Sequence, residues 1–422
     1  MSETPEIFAA QFGNRPAVIV ADENMFSIAG SAVQAAFHSA NHPSQPPFIF
    51  HDPKLYAEHH FVAELETALR AHDAVPIAVG SGTINDLTKL AAHRTRRPYV
   101  CVATAASMDG YTAFGASITQ AVSKQTFHCP APTVVIADLE IIRNAPPEMN
   151  AWGYADLLAK ITAGADWILA DTLGVEPIDP QPWTIVQGRL RELTANPAAI
   201  RTGDPDAIGK LITGLLLGGF AMQSAQSSRP ASGAEHQFSH LWDMQHHTHQ
   251  GRAPSHGFKV GIGTLAVTAL YEQLLAQPLE QLDVDACVAA WPTTESWINR
   301  ARIGFGAGEL LDCARRELTA KQPTPPQLRE QLETLRHRWP ALRELLPRQL
   351  LPFTELSQML KAAGAPTAPE AIGITRERLR ESYWLALCIR RRFTVLDVAA
   401  RTGLLDRCCN EIFAPHGRWP TD

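Results

Sequence analysis

The sequence predicts an α/β N-terminal domain over residues 1–150 and an all-α C-terminal domain over residues 151–422. Three observations carry this. Up to about residue 150, short β-branched runs alternate with helical patterns, the signature of βαβ units and a parallel sheet. After Trp152 such runs almost vanish and long patterns of helical period take over. Between the two, Ala145-Pro146-Pro147 supplies a natural break. A chain of 422 residues also exceeds one ordinary compact core.

In the first half, strands are expected at 17–21, 48–50, 75–79, 99–103 and 134–137, with helices over 61–69 and 85–92 between them. In the second half, helices are expected over 154–173, 207–226, 261–275, 326–345 and 376–388. No internal repeat and no low-complexity tract interrupts them.

With 45% hydrophobic and 19% charged residues, the composition is that of a globular protein with a large interior. A net charge of −6 argues against a general nucleic-acid binder, which must displace phosphate counterions. The densest basic run, Arg390 to Arg392, reads as a solvated helix terminus, where cations favour the carbonyl end of the dipole. Seven cysteines occur without a Cys-x-x-Cys pair, so reduced, mostly buried thiols in a cytoplasmic protein are expected. The N-terminus lacks the charged-then-apolar pattern of a secretory signal. The apolar stretch 211–222, broken by Gly214, Gly218 and Gly219, reads as a buried helix. Neither a membrane nor a nucleic acid is therefore expected as a partner.

Two regions carry chemistry. The run 75–79 leads directly into Gly80-Ser81-Gly82-Thr83-Ile84-Asn85-Asp86, a strand, glycine turn and helix start. Such a turn lets the backbone approach a pyrophosphate, and the first amides of the helix face the anion. An ordinary strand-to-helix loop capped by Thr83 fits equally. Asp22, at the end of the first strand, can accept from ribose hydroxyls or can cap the next helix. The fourth strand runs into Thr104-Ala105-Ala106-Ser107-Met108-Asp109-Gly110, small residues suited to lie against a cofactor. Asp109 fits a turn carboxylate as well.

The second region is Ser232-Gly233-Ala234-Glu235-His236-Gln237-Phe238-Ser239-His240, with Ser255-His256-Gly257 downstream. His236 and His240 share one helix face. A catalytic ion takes three protein ligands and keeps a position open. His236, His256 and a carboxylate can supply them, the candidate being Asp156, with Asp166 and Asp171 as rivals and helix capping as its bland alternative. Gln237 stands where a zincin would carry glutamate. His246, His247 and His249 crowd the same stretch.

Together, the motifs at 80–89 (GSGTINDLTK), 104–111 (TAASMDGY), 153–160 (GYADLLAK), 232–240 (SGAEHQFSH) and His256-Gly257 resemble the sn-glycerol-1-phosphate dehydrogenases of the iron-containing alcohol dehydrogenase and dehydroquinate synthase superfamily. AAGAPTAPEAIGITRERL and IRRRFTVLD near the C-terminus resemble the bacterial, arabinose-operon-associated branch. The resemblance implies a Rossmann-like, dehydroquinate synthase-like fold. It implies cofactor contacts from Asp22, Gly82, Thr83, Ile84, Asn85, Asp86, Thr104, Ala105, Ala106 and Ser107. It further implies catalytic and substrate contacts from Asp109 and His240, a metal on Asp156, His236 and His256, and substrate near Asp156. Ala113 stands where the family commonly has a cofactor-contacting serine, and Ser81 and Ala155 where glycines are common.

The expected activity is reversible, NAD-linked (or NADP-linked) reduction of dihydroxyacetone phosphate to sn-glycerol 1-phosphate, with one divalent ion (Zn, Ni or Fe) and a homodimer as the commonest assembly. The alternatives are a dehydrogenase for another polyol such as glycerol, or a catalytically silent nucleotide-binding regulator. Lys124 and Lys259 are candidates for the substrate phosphate, with surface lysines as the plainer reading.

Overall fold

Five parallel strands make the central sheet: β1 (Ala17–Asp22), β2 (Phe48–Phe50), β3 (Val75–Gly80), β4 (Val100–Ala103) and, after a hairpin, β7 (Val134–Ala137). The computed structural model describes residues 1–120 and 123–421, with the backbone alone at 123 and 124. The strand order is β2-β1-β3-β4-β7, so the direction of winding reverses between β1 and β3. Open α/β sheets bind ligands beyond the carboxyl ends of the strands at such a reversal.

All five expected strands form, because each is a near-continuous apolar run fit to be covered on both faces. Ile19, Ala21, Val75, Ile77, Val79, Val100 and Val102 are buried in one core with Phe8, Val33 and Phe37. The sequence reading missed a two-stranded antiparallel hairpin, β5 (Ala116–Gln120) with β6 (Ser123–Phe127).

By packing, the chain makes two compact units: Met1–Leu157 with Arg191–Ser228, and Leu158–Leu190 with Arg229–Asp422. The first therefore holds the sheet and also the helix Pro205–Ala225. This helix is long and apolar enough to cross a membrane by length and composition, and 56% of its most apolar window is buried in the protein. Its glycines permit close approach. A Cβ on Gly214 would lie 2.7 Å from the Leu157 side chain, and one on Gly219 would lie 2.0 Å from Thr112 Oγ1.

The second unit is helical. His256–Leu275 runs through its middle, buried along almost its whole length, and packs on Ala234–Met244. Arg376–Cys388 forms as expected, and Tyr383 donates to the Ala266 carbonyl. The single helix expected over 154–173 is instead two, Pro147–Leu158 and Lys160–Thr172, broken at Ala159. The apolar pattern runs through the break, so the pattern could not show it.

The basic run also departs from its expected solvated state. Arg391 pairs with Glu317, but Arg392 turns inward and donates to the Ser232 carbonyl. Burial, with the charge of Arg229, pushes the Arg392 pKa down to about 9. All seven cysteines are free, five of them buried.

Candidate active site and metal centre

The proposed nucleotide residues gather at one edge of the sheet. Val20 pairs with Ala78 and Gly80 with Ala103, which sets the ends of β1, β3 and β4 level. Asp22, the glycine turn and Thr104 therefore stand side by side. The Thr104 amide donates to the Gly80 carbonyl at 3.2 Å, and its hydroxyl meets Met25 Sδ at 3.4 Å. The capping role weighed for Asp22 is realised, since its carboxylate accepts from the Met25 amide at 2.7 Å.

The capping role weighed for Thr83 is not realised. The helix Gly82–Arg94 begins one residue earlier, and the cap position falls on Ser81, whose side chain makes no capping bond. The first amides of this helix, at Gly82, Thr83 and Ile84, lack intrahelical acceptors and stand at the switch point, the kind of terminus that suits an anion.

The sequence reading gave no role to Lys89, a member of the same motif. Lys89 is 1% exposed, and its ammonium donates to the carbonyls of Gly110, Ala113 and Gly115 at 2.9, 3.0 and 3.1 Å. It also lies 3.7 Å from Asp86, one turn back. Asn85 donates to the Gly110 carbonyl and accepts from Tyr99. The glycine-turn helix thereby fixes the Met-Asp-Gly loop. Ala105 is held by the Tyr111 hydroxyl at 2.7 Å, and Gly153 brings its helix so near that a Cβ there would lie 2.0 Å from the Ala106 oxygen.

Asp109 and Asp156 meet directly: the Asp109 amide donates to Asp156 Oδ2 at 3.1 Å. Asp156 is fully buried on the last turn of Pro147–Leu158. Its rivals are engaged elsewhere. Asp166 accepts from the Tyr271 hydroxyl and from the amides of Ala234 and Val395. Burial and the Glu235 carboxylate push its pKa up to about 7. Asp171 is exposed and accepts from Ile178.

In the helical unit the rings of His236, His240 and His256 form a triangle with sides of 5.3, 6.2 and 6.2 Å. Asp156 of the first unit and His236 and His256 of the second are a carboxylate and two imidazoles that together could hold a metal ion. Two imidazole nitrogens and a carboxylate oxygen suit zinc, nickel and ferrous iron alike.

The groups behind these ligands were not read from the sequence. Glu235 accepts from His236 Nδ1 at 2.8 Å, which leaves Nε2 as that ring's ligand atom. The same carboxylate takes the Gly233 amide at 2.6 Å and the Thr162 hydroxyl at 2.9 Å. Burial works to raise the Glu235 pKa, but the hydrogen bond and charge of His236 outweigh it and hold it below the ordinary value. Ser239 Oγ stands 3.3 Å from His256 Nδ1 in the same capacity.

The other histidines hold loops. His247 bridges the Ile372 carbonyl and Arg378, and the backbone of His249 pairs with that of Arg252. Lys259 is buried against Asp243, so the surface reading does not apply to it. The side chain of Lys124 lies outside the described residues.

The family profile described as iron-containing alcohol dehydrogenase matches residues 1–146. Among solved structures, the glycerol dehydrogenase of Schizosaccharomyces pombe superposes with a TM-score of 0.60 at 16% identity, covering 97% of this chain and 87% of that one. A probable glycerol dehydrogenase from Sinorhizobium meliloti gives 0.58 at 15%, covering 97% and 95%. These share the fold.

Sequence relatives are narrower. The glycerol-1-phosphate dehydrogenase [NAD(P)+] of Geobacillus stearothermophilus is 31% identical over 76% of this chain and 70% of its own length. That of Halalkalibacterium halodurans is 33% identical over 62% and 66%. The Pyrococcus furiosus enzyme is 38% identical over 46% and 55%. The match spans between about half and seven-tenths of such relatives' length. The chain belongs to the iron-containing alcohol dehydrogenase superfamily, among the homologues of the NAD(P)-linked glycerol-1-phosphate dehydrogenases.

Proposed function

We propose that this chain is a metal-dependent, NAD(P)-linked dehydrogenase that interconverts dihydroxyacetone phosphate and sn-glycerol 1-phosphate. The observation that carries the reading is the donor set Asp156, His236 and His256, with each histidine backed through Nδ1. The named activity of the relatives supplies the substrate.

In this reading Asp22 meets the ribose, while the amides of Gly82, Thr83 and Ile84, with Asn85 and Asp86 behind them, meet the pyrophosphate. Thr104, Ala105, Ala106 and Ser107 line the nicotinamide side, where NAD(P)H supplies the hydride. A bound Zn²⁺, Ni²⁺ or Fe²⁺ supplies Lewis acidity for the substrate carbonyl. Asp109 orients Asp156 through its amide, and its own carboxylate contacts the substrate. His240 holds the substrate hydroxyl and moves its proton, a task that suits an imidazole near neutral pH. Membership of the arabinose-operon-associated branch, a homodimer and a cytoplasmic location complete the reading.

A second reading, a dehydrogenase for glycerol or a related polyol, draws support from the glycerol dehydrogenase fold match. Following NADH consumption separates the two. Turnover is expected with dihydroxyacetone phosphate, and a rate with dihydroxyacetone alone would replace the first reading by the second. Activity is expected to vanish with a chelator and return with a divalent ion; full turnover of metal-free protein would refute the metal's role.

A further inference from the structure

Three tryptophans and one arginine form a ladder in the helical unit, made from residues that play no part in the site above. Trp291 and Trp297 have ring centroids 5.3 Å apart, and Trp297 and Trp384 are 4.7 Å apart. The Arg300 guanidinium closes the stack, 3.2 Å above the Trp384 ring. One end of the ladder is satisfied: Asp406 accepts from Trp384 Nε1 at 2.7 Å and from Arg300 at 3.0 Å.

The other end is not. The indole nitrogens of Trp291 and Trp297 are buried from solvent and have no acceptor among the described residues. Trp297 is only 4% exposed. A buried donor without a partner is costly, so two side by side ask for an acceptor. Both indoles line a cavity of about 340 Å³, floored by alanines that include Ala290 and Ala400 and flanked by Arg300 and Arg401. The lining holds two cations and one acid: Arg300 pairs with Asp406, and Arg401 donates to Gln331.

We propose that this cavity is a binding site for a small carboxylic acid with a planar or apolar body. The indole N–H groups would donate to the carboxylate, the aromatic ladder and alanine floor would cover the body, and the arginines would favour the negative charge. Two ring donors suit a carboxylate better than a phosphate, whose three oxygens call for guanidinium forks or a helix terminus. None of these residues is among the proposed ligands, cofactor contacts or substrate contacts, so the inference stands apart from the function proposed above.

Benzoate is the probe, titrated into the intact protein by calorimetry and by tryptophan fluorescence. Saturable binding is expected, with a dissociation constant of about 1 mM or tighter, the affinity of a few good contacts. Trp297→Phe keeps the ring and removes the donor, and should weaken binding at least about tenfold, the worth of one hydrogen bond to a charged group. Ala290→Leu, at an exposed position of the lining, narrows the cavity while leaving every ladder residue in place, and should abolish binding. Both variants should keep their NADH-linked activity.

A second void against the same two indoles, about 10 Å³, has room for one water. A crystal soaked in benzoate that shows only an ordered water on Trp297 would overturn the proposal. So would binding that ignores both substitutions, or the absence of saturable binding.

Discussion

Glu235 Oε1 lies 2.8 Å from Nδ1 of His236, its own neighbour in the chain. The contact sets the tautomer of the ring and so selects the nitrogen that would meet an ion. Partners of this kind are worth about 10–100-fold in metal affinity. Glu235→Gln keeps the volume but exchanges one acceptor oxygen for a donor that faces the Gly233 amide or the Thr162 hydroxyl. Zinc affinity, measured by competition with a chromophoric chelator, should fall by about that factor while the far-ultraviolet dichroism stays unchanged. Unchanged affinity would show that the ring needs no such orientation.

Lys89 is the buried tie of the Met-Asp-Gly loop, and removing it strands the carbonyls of Ala113 and Gly115, while that of Gly110 keeps Asn85. Lys89→Met should cost at least about 2 kcal/mol, because each of the two orphaned acceptors carries a penalty of about 1–3 kcal/mol. The urea midpoint reads this loss, and the dissociation constant for NADH should rise in parallel. A loss below about 1 kcal/mol would mean that water reaches the carbonyls instead.

Gly153 faces the backbone oxygen of Ala106 with no room for a methyl group. Backbone cannot swing aside as a side-chain tip can, so Gly153→Ala should displace the loop that carries Thr104, Ala105, Ala106 and Ser107. Binding of NADH is expected to weaken at least about tenfold, since a shift of about 1 Å at a positioning element costs more than that in productive geometry. Gly209→Ala is the control. There a Cβ would meet only Leu139 Cδ1, at 3.6 Å, and the substitution should be neutral or slightly stabilising.

His247 sets an acid limit on stability. Its Nε2 lies 2.7 Å from the Ile372 carbonyl and its Nδ1 2.8 Å from Arg378, an arrangement that needs a neutral ring. Burial, above all, pushes its pKa below the ordinary 6.5, with the Arg378 charge adding to the effect. Below pH 6.5 the unfolded chain then binds a proton that the folded chain refuses, so stability falls as pH drops through that value. His247→Gln should flatten the slope of urea midpoint against pH between about 6.5 and 5. An unaltered slope would assign the acid sensitivity to other groups.

What the sequence disclosed followed periodicity. The strands at 17–22, 48–50, 75–80, 100–103 and 134–137 announce themselves as apolar runs between polar turns, and the 376–388 helix by its spacing. The hairpin at 116–127 did not, because Ser117, Gln120, Ser123 and Gln125 dilute its alternation and no Asn-Gly or Asp-Gly turn joins its strands. The helix break at Ala159 was hidden for the opposite reason, since both sides of it are buried. His236 and His256 were readable as ligand types, whereas nothing in the sequence marked out Glu235 or Lys89. Their roles rest on contacts with Thr162, Gly233 and the 110–115 loop, which only the folded chain assembles.

The segment Arg191–Ser228 packs with the sheet although Leu158–Leu190, which precedes it, belongs to the other unit. During synthesis the strands through β7 emerge early, yet the Thr112 hydroxyl must wait for the Leu216 carbonyl, and the Tyr154 hydroxyl for the Thr194 carbonyl. The first unit therefore cannot close on the ribosome until Ser228 is out, with part of its neighbour already exposed. A nascent chain stalled near residue 157 should be readily cleaved by protease, and one stalled well beyond 228 should resist, so the sheet matures in two instalments.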